Sequence, residues 1–128
     1  IMQAVPYPNI KIISLSGTLS RKTLSFTGMM AAQVLQNYNI GKAFMAATGF
    51  SVENGITNSS PLETEVKQTA VQRSQQTYLL ADSSKNGVIS LMTYCSLDKI
   101  DVLVTDAQPS NGIYDFMNAH GVRIIIAE

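Results

Sequence analysis

The feature that most constrains this chain is an alternation of short, nearly continuous apolar runs with stretches of helical period. Apolar runs recur at Ile10 to Leu15, Ala43 to Ala47, Tyr78 to Ala81, Val102 to Val104 and Val122 to Ala127. Each has strand length, and most are rich in β-branched or aromatic residues. Runs without polar alternation fit parallel strands covered on both faces. Between them, Ala31, Val34, Leu35 and Tyr38 form one apolar stripe after Gly28. A second helix opens at Ser60, with Pro61 in its first position and Glu63 three residues after the cap, and runs to about Gln75. A third carries Ile113, Phe116, Met117 and His120 on one stripe, begins near Ser110 and stops at Gly121. The pattern predicts an α/β fold, with a mostly parallel sheet, helices on both faces and right-handed crossovers. Between Ser83 and Leu97 the reading is open: Val88 to Thr93 reads as a short strand and Asn86-Gly87 as a turn.

A chain of 128 residues holds one domain with its own core, and 45% hydrophobic against 14% charged residues supplies the material to bury. Nine Lys plus Arg balance nine Asp plus Glu, so no overall positive field draws in nucleic acid or an anionic membrane. Any DNA contact is therefore expected from another module, and a start on Ile1 reads as a fragment or trimmed chain. No apolar run approaches the ~20 residues that span a bilayer. The single Cys95 can make neither an internal disulfide nor a zinc site, which suits a reducing cytoplasm, and it reads as a small packed hydrophobe. His120 reads as a packed helix-end residue with no Cys or Glu at metal-ligand spacing. Nucleophile elbow, phosphate-binding Walker loop and dinucleotide fingerprint are all missing, so no cofactor or metal is implied.

Ligands of open α/β sheets collect beyond the carboxyl ends of the strands. The first run leads into Ser16-Gly17-Thr18, the second into Thr48-Gly49, the third into Asp82-Ser83-Ser84-Lys85 and the fourth into Thr105-Asp106. Turns and caps alone also call for glycine and hydroxyl residues in such loops. Taken together they predict a polar small-molecule pocket on one edge. Gly17 and Thr18 can bring backbone N–H groups to an anion, Lys85 can supply a point charge for a phosphate, and Asp82 and Asp106 can accept from sugar hydroxyls. Glu63 and Lys67, four apart with the acid first, read in isolation as a surface helical ion pair.

Several segments together resemble the C-terminal sensor domain of DeoR-type repressors. They are Lys42 to Phe50, Glu53-Asn54-Gly55-Ile56-Thr57, Glu63 with Lys67, Tyr78 to Lys85 with its Asp-Ser-Ser-Lys, and Leu97 through Asp106; Tyr7 to Lys11 leading to Gly17-Thr18-Leu19 fits the early glycine loop. The resemblance covers nearly the whole chain in order. It implies the fold of ribose phosphate isomerase and the coenzyme A transferases, partly truncated at the N-terminus, because the first sensor strand and helix are mostly missing before Pro6. It also implies a homo-oligomeric, cytoplasmic regulator whose domain over residues 1–128 binds a phosphorylated sugar, and an upstream helix-turn-helix domain, missing here, through which alone DNA is bound. The effector site it implies comprises Gly17, Thr18, Thr48, Gly49, Thr57, Glu63, Lys67, Asp82, Lys85 and Asp106, with no catalytic residue. The chain departs from the pattern at Ser16, where a second glycine is usual, and at Thr48, where an acidic or small residue often stands. The alternative is a sugar phosphate isomerase with Glu63 as base and Lys85 as phosphate clamp; a bare oligomerisation module is a third.

Overall fold

A computed structural model describes residues 2–127. A helical turn at Met2–Ala4 leads through an irregular segment to a hairpin of β1 (Thr18–Ser20) and β2 (Ser25–Thr27). There follow α1 (Met29–Gln36), β3 (Ile40–Ala46), a second hairpin of β4 (Gly49–Ser51) and β5 (Gly55–Asn58), α2 (Pro61–Arg73) and β6 (Ser74–Leu80). The chain ends with β7 (Met92–Cys95), β8 (Val102–Thr105), α3 (Asn111–Ala119) and β9 (Arg123–Ile126). Four strands form one parallel sheet in the order β3-β6-β8-β9, and β4-β5-β7 form a small antiparallel sheet.

Local chemistry sets the helix ends. The Ser60 side chain accepts from the Glu63 backbone N–H at 3.4 Å, and Pro61 follows it, where its missing N–H costs nothing. At the other end α2 stops at Arg73, two residues short of the predicted end, because Ser74 already pairs with Ile40 in the ladder. Helix α3 ends on Gly121 at φ +74°, and Val122 N–H donates back to the Met117 carbonyl at 2.9 Å, the six-to-one bond of a glycine C-cap. His120 stacks on Phe116 at 4.0 Å between ring centroids, although it is exposed.

The core gathers Ala43, Met45, Leu79 and Leu103 from one face of the parallel sheet, Phe50 and Ile56 from the small sheet, and Ile113 and Met117 from α3; Ala70 and Val71 of α2 pack against it. At ~25 cal/mol per Å² of apolar area, this burial is the main force holding the sheets and helices together.

Two expectations need correction. Helices do not cover both faces: α2 and α3 serve the same cluster, while the opposite face leaves Phe44, Leu80 and Ile125 exposed, Phe44 stacked on Tyr78 at 5.0 Å. The strand order explains this. Each connection moves to the next position in one direction, and connections of one hand then place their helices on one side. Ile10 to Leu15 is not a strand either. It runs irregular, with Ile10, Ile12 and Ile13 exposed, because no described residue offers it a ladder partner and β-propensity needs one to be expressed. The open stretch from Ser83 resolves into a turn at Gly87, φ +76°, and a strand shifted to Met92–Cys95.

Candidate functional site

Three loops leave the carboxyl ends of β3, β6 and β8 and surround a cavity of about 420 Å³. Ala46, Ala47, Leu80 and Val104 form its apolar wall, and Asp82, Lys85 and Asp106 its polar rim. Asp106 fastens one loop to the next: it accepts from Ser83 N–H at 2.6 Å and from the Ser83 hydroxyl at 3.2 Å. Asp82 accepts from Ser84 N–H at 3.0 Å and caps the short helical turn Ser83–Lys85. Both carboxyls sit below the ordinary aspartate value, Asp106 chiefly through the Ser83 N–H and Asp82 chiefly through Ser84. Lys85 is half-buried on the rim, and among the described residues its ammonium has neither a side-chain hydrogen bond nor an ion pair. The rim thus consists of two carboxylates that hold the loops and one cation left to meet an anion.

A second cluster lies beside the first and meets it at Ala46. The Lys67 ammonium turns inward, donating to the Ala46 carbonyl and to Asn58 Oδ1, both at 2.9 Å, and stands 5.5 Å from the centre of the Tyr94 ring. Tyr94 OH donates to the same Ala46 carbonyl at 3.2 Å. Asn58, buried, donates its other amide end to Glu63 Oε2 at 3.2 Å, and the Ser25 hydroxyl donates to Glu63 Oε1 at 3.1 Å. Glu63 and Lys67 are therefore not the direct surface pair that their spacing suggests. The only ion pair within 4.0 Å among the described residues is Lys99–Asp98, and a buried amide bridges Glu63 to Lys67 instead.

The same network sets the two charges. Burial alone would raise the Glu63 carboxyl; hydrogen bonds from Thr23, Asn58 and Ser25 and the Lys67 charge outweigh it and hold the group below its ordinary value. Burial pushes Lys67 down, against the pull of Glu63. Burial also raises the Tyr94 phenol and pushes the Cys95 thiol up to about 12, so Cys95 is an inert packed thiol.

The other sequence-selected residues hold the frame. Thr57 is buried; its hydroxyl donates to the Gly49 carbonyl and accepts from Ser90 N–H, each at 3.0 Å. Thr48 N–H donates to the Thr57 carbonyl at 2.9 Å. At Gly49 a methyl group would overlap the Val88 carbonyl, so this glycine is a close-packing residue. Gly17 and Thr18 open the first hairpin, where the Thr27 hydroxyl donates to the Thr18 carbonyl at 3.2 Å; neither lines the Lys85 cavity. The pattern reading omitted Asn58, Ser25 and Tyr94. An amide two residues before the Ser60 cap is the one sequence signal that could have flagged the bridge.

Comparison with known proteins places this chain in a family. Residues 1–107 match the family model described as the DeoR C terminal sensor domain. The chain is 42% identical over 120 residues to the HTH-type transcriptional regulator IolR of Bacillus subtilis, covering 93% of this chain and 47% of that protein. It is 33% identical over 119 residues to the HTH-type transcriptional repressor GlcR of Bacillus subtilis, covering 93% and 46%. To the HTH-type transcriptional regulator GolR of Listeria innocua it is 31% identical over 121 residues, covering 94% and 48%. The chain spans about half the length of these relatives.

Proposed function

The chain belongs to the DeoR family as its C-terminal sensor domain, and on that footing we propose that it binds a phosphorylated sugar at the carboxyl edge of its parallel sheet. Occupancy controls DNA binding by a helix-turn-helix domain elsewhere in the regulator, releasing a repressed operator. Residues 1–128 are on this reading one effector domain with the ribose phosphate isomerase and coenzyme A transferase type of fold. It acts in the cytoplasm as a homo-oligomer, because repressors that read two half-sites need paired DNA-binding heads.

The observation that carries the reading is the Lys85 ammonium, without a side-chain partner among the described residues, on the rim of a 420 Å³ cavity whose two aspartates are already committed to loop bonds. A phosphate oxygen supplies the charge-assisted partner that Lys85 lacks. The Lys67, Asn58 and Glu63 cluster, joined to that cavity through Ala46, supplies donors and acceptors for hydroxyls. Thr48, Gly49 and Thr57 bond to one another at the β4–β5 hairpin and act as frame rather than as ligand contacts. Gly17 and Thr18 contribute through the hairpin they open rather than by cradling the phosphate beside Lys85.

No observation favours the isomerase alternative: the Glu63 carboxyl takes hydrogen bonds from Ser25 and Asn58 and is held below its ordinary value, the opposite of a carboxylate tuned as a base. A melting-temperature screen of sugar phosphates against their unphosphorylated parents tests the proposal. A ligand at about 100 times its dissociation constant adds ~2.7 kcal/mol, a shift of several degrees. Equal shifts from a sugar and its phosphate would overturn the assignment of Lys85.

A further inference from the structure

The hairpin from Thr18 to Thr27 stands apart from both larger sheets. Two strands alone are marginal in water, so what ties this hairpin down decides whether it stays closed. Its ties to α2 are the Ser25 hydroxyl on the Glu63 carboxylate and the Gly28 N–H on the Leu62 carbonyl at 3.3 Å. Leu24, 78% exposed, sits at φ +53°, a left-handed conformation that a branched side chain takes at a cost. Beneath the hairpin lies a cavity of about 260 Å³, lined by Thr23, Ser25, Phe26, Glu63, Val66 and Lys67.

The cavity wall has hydrogen-bonding capacity left over. The Glu63 carboxylate offers about four acceptor sites and takes two hydrogen bonds, from Ser25 and Asn58. Lys67 has three N–H groups and spends two, on Ala46 and Asn58. About two acceptor sites and one donor thus remain on charged groups that are held apart by an amide. A vicinal diol matches them: one hydroxyl donates to the carboxylate while its neighbour accepts from the ammonium.

We propose that the Thr18 to Thr27 hairpin is a lid latched by the Ser25–Glu63 hydrogen bond, closing on vicinal hydroxyls of a polyol held between Glu63 and Lys67. The ligand class rests on the sugar-sensing function proposed above, whereas the latch rests on geometry alone. A bound diol bridges α2 to the underside of the lid and so tightens it, and α1, which begins at Met29 directly after the lid, is carried with it.

Hydrogen exchange on the whole chain tests both parts. Ser25→Ala should raise exchange of the amides between residues 18 and 27 about tenfold, the worth of one hydrogen bond to a charged group, and leave β3 unchanged. Unchanged lid exchange in that variant would overturn the latch. Ribitol, a pentitol with hydroxyls and no charge, should slow lid exchange in the wild-type chain, and 1,5-pentanediol, which has no vicinal pair, should not. Glu63→Gln should abolish the ribitol effect, and Glu63→Asp should restore part of it. Equal protection by both alcohols, or protection by neither, would overturn the diol site. Ribitol carries no phosphate, so the outcome is independent of Lys85. Sugar phosphates that fail to shift melting would sink the effector proposal and leave the lid result standing.

Discussion

The rim around Lys85 and the cluster around Asn58 lie side by side at the end of β3, yet they are built in opposite ways. On the rim, exposed carboxylates hold exposed loops, and Lys85 is left without a side-chain partner among the described residues. In the cluster a buried amide stands between two charges, and no buried polar side-chain atom among the described residues lacks a partner. Exposed charges exchange water for ligand at little cost to the fold, whereas buried ones become part of it. The first region can therefore select an anion without being needed for stability. The second can select hydroxyls only as long as its network survives.

The comparison breaks most sharply where the cluster meets its frame. Gly49→Ala drives a methyl group into the Val88 carbonyl, a backbone atom that cannot rotate away, and should cost about 3 kcal/mol. Chemical denaturation measures this, and a cost near zero would show that the 86–91 loop is free to shift. Asn58→Leu comes next, at about 2 kcal/mol, because it removes an acceptor from Lys67 and a donor from Glu63 at a position only 4% exposed. If Asn58→Leu were neutral, the bridge would be incidental, and the contrast between the two regions would fail.

Acid should separate the regions more gently. The Glu63 carboxyl is held below its ordinary 4.5, so it stabilises the fold above that value and loses this contribution as pH falls through its folded value. The protection of the lid amides, corrected for the intrinsic pH dependence of exchange, should then fall on acidification, and Glu63→Gln should flatten that dependence. Lys67 has the same sign in the alkaline range: burial holds its folded value below the ordinary 10.5, so the folded state gives up this proton first and the cost of the buried charge is relieved as pH rises between the two. An acid response unchanged by Glu63→Gln would mean that the exposed aspartates of the rim carry it.

How far these regions could be read from sequence follows from what each depends on. Strands β3, β6, β8 and β9 and all three helices are written in local apolar pattern and caps, which is why Pro61, Ser60 and Gly121 mark their ends. Ile10 to Leu15 carries the same apolar pattern and forms no strand, since pairing depends on a neighbour that pattern does not describe. That Asp82, Lys85 and Asp106 would come together around one cavity was legible because they directly follow strands. The inward turn of Lys67 was not, because helical spacing pairs it with Glu63 and only the tertiary fold supplies Asn58 and the Ala46 carbonyl as better partners. Glu63 shows the same limit: its spacing from Ser60 predicts a reciprocal capping box, but its side chain bonds Ser25 and Asn58 while only its backbone N–H meets Ser60.

Smallest in stability, and sharpest for function, is Lys85→Ala. The unliganded chain should keep its folding free energy within about 0.5 kcal/mol, as for a surface loop side chain, because no described side-chain bond depends on this half-buried ammonium. The melting shift from a phosphorylated sugar should nevertheless disappear in the variant, since the remaining rim carboxylates repel a phosphate rather than replace the cation. Lys85→Arg should retain part of the shift, because the charge survives on a group of different shape. If instead the shift persists in Lys85→Ala and vanishes in Lys67→Met, the anion is read inside the cluster, and the division of labour between the two regions is reversed.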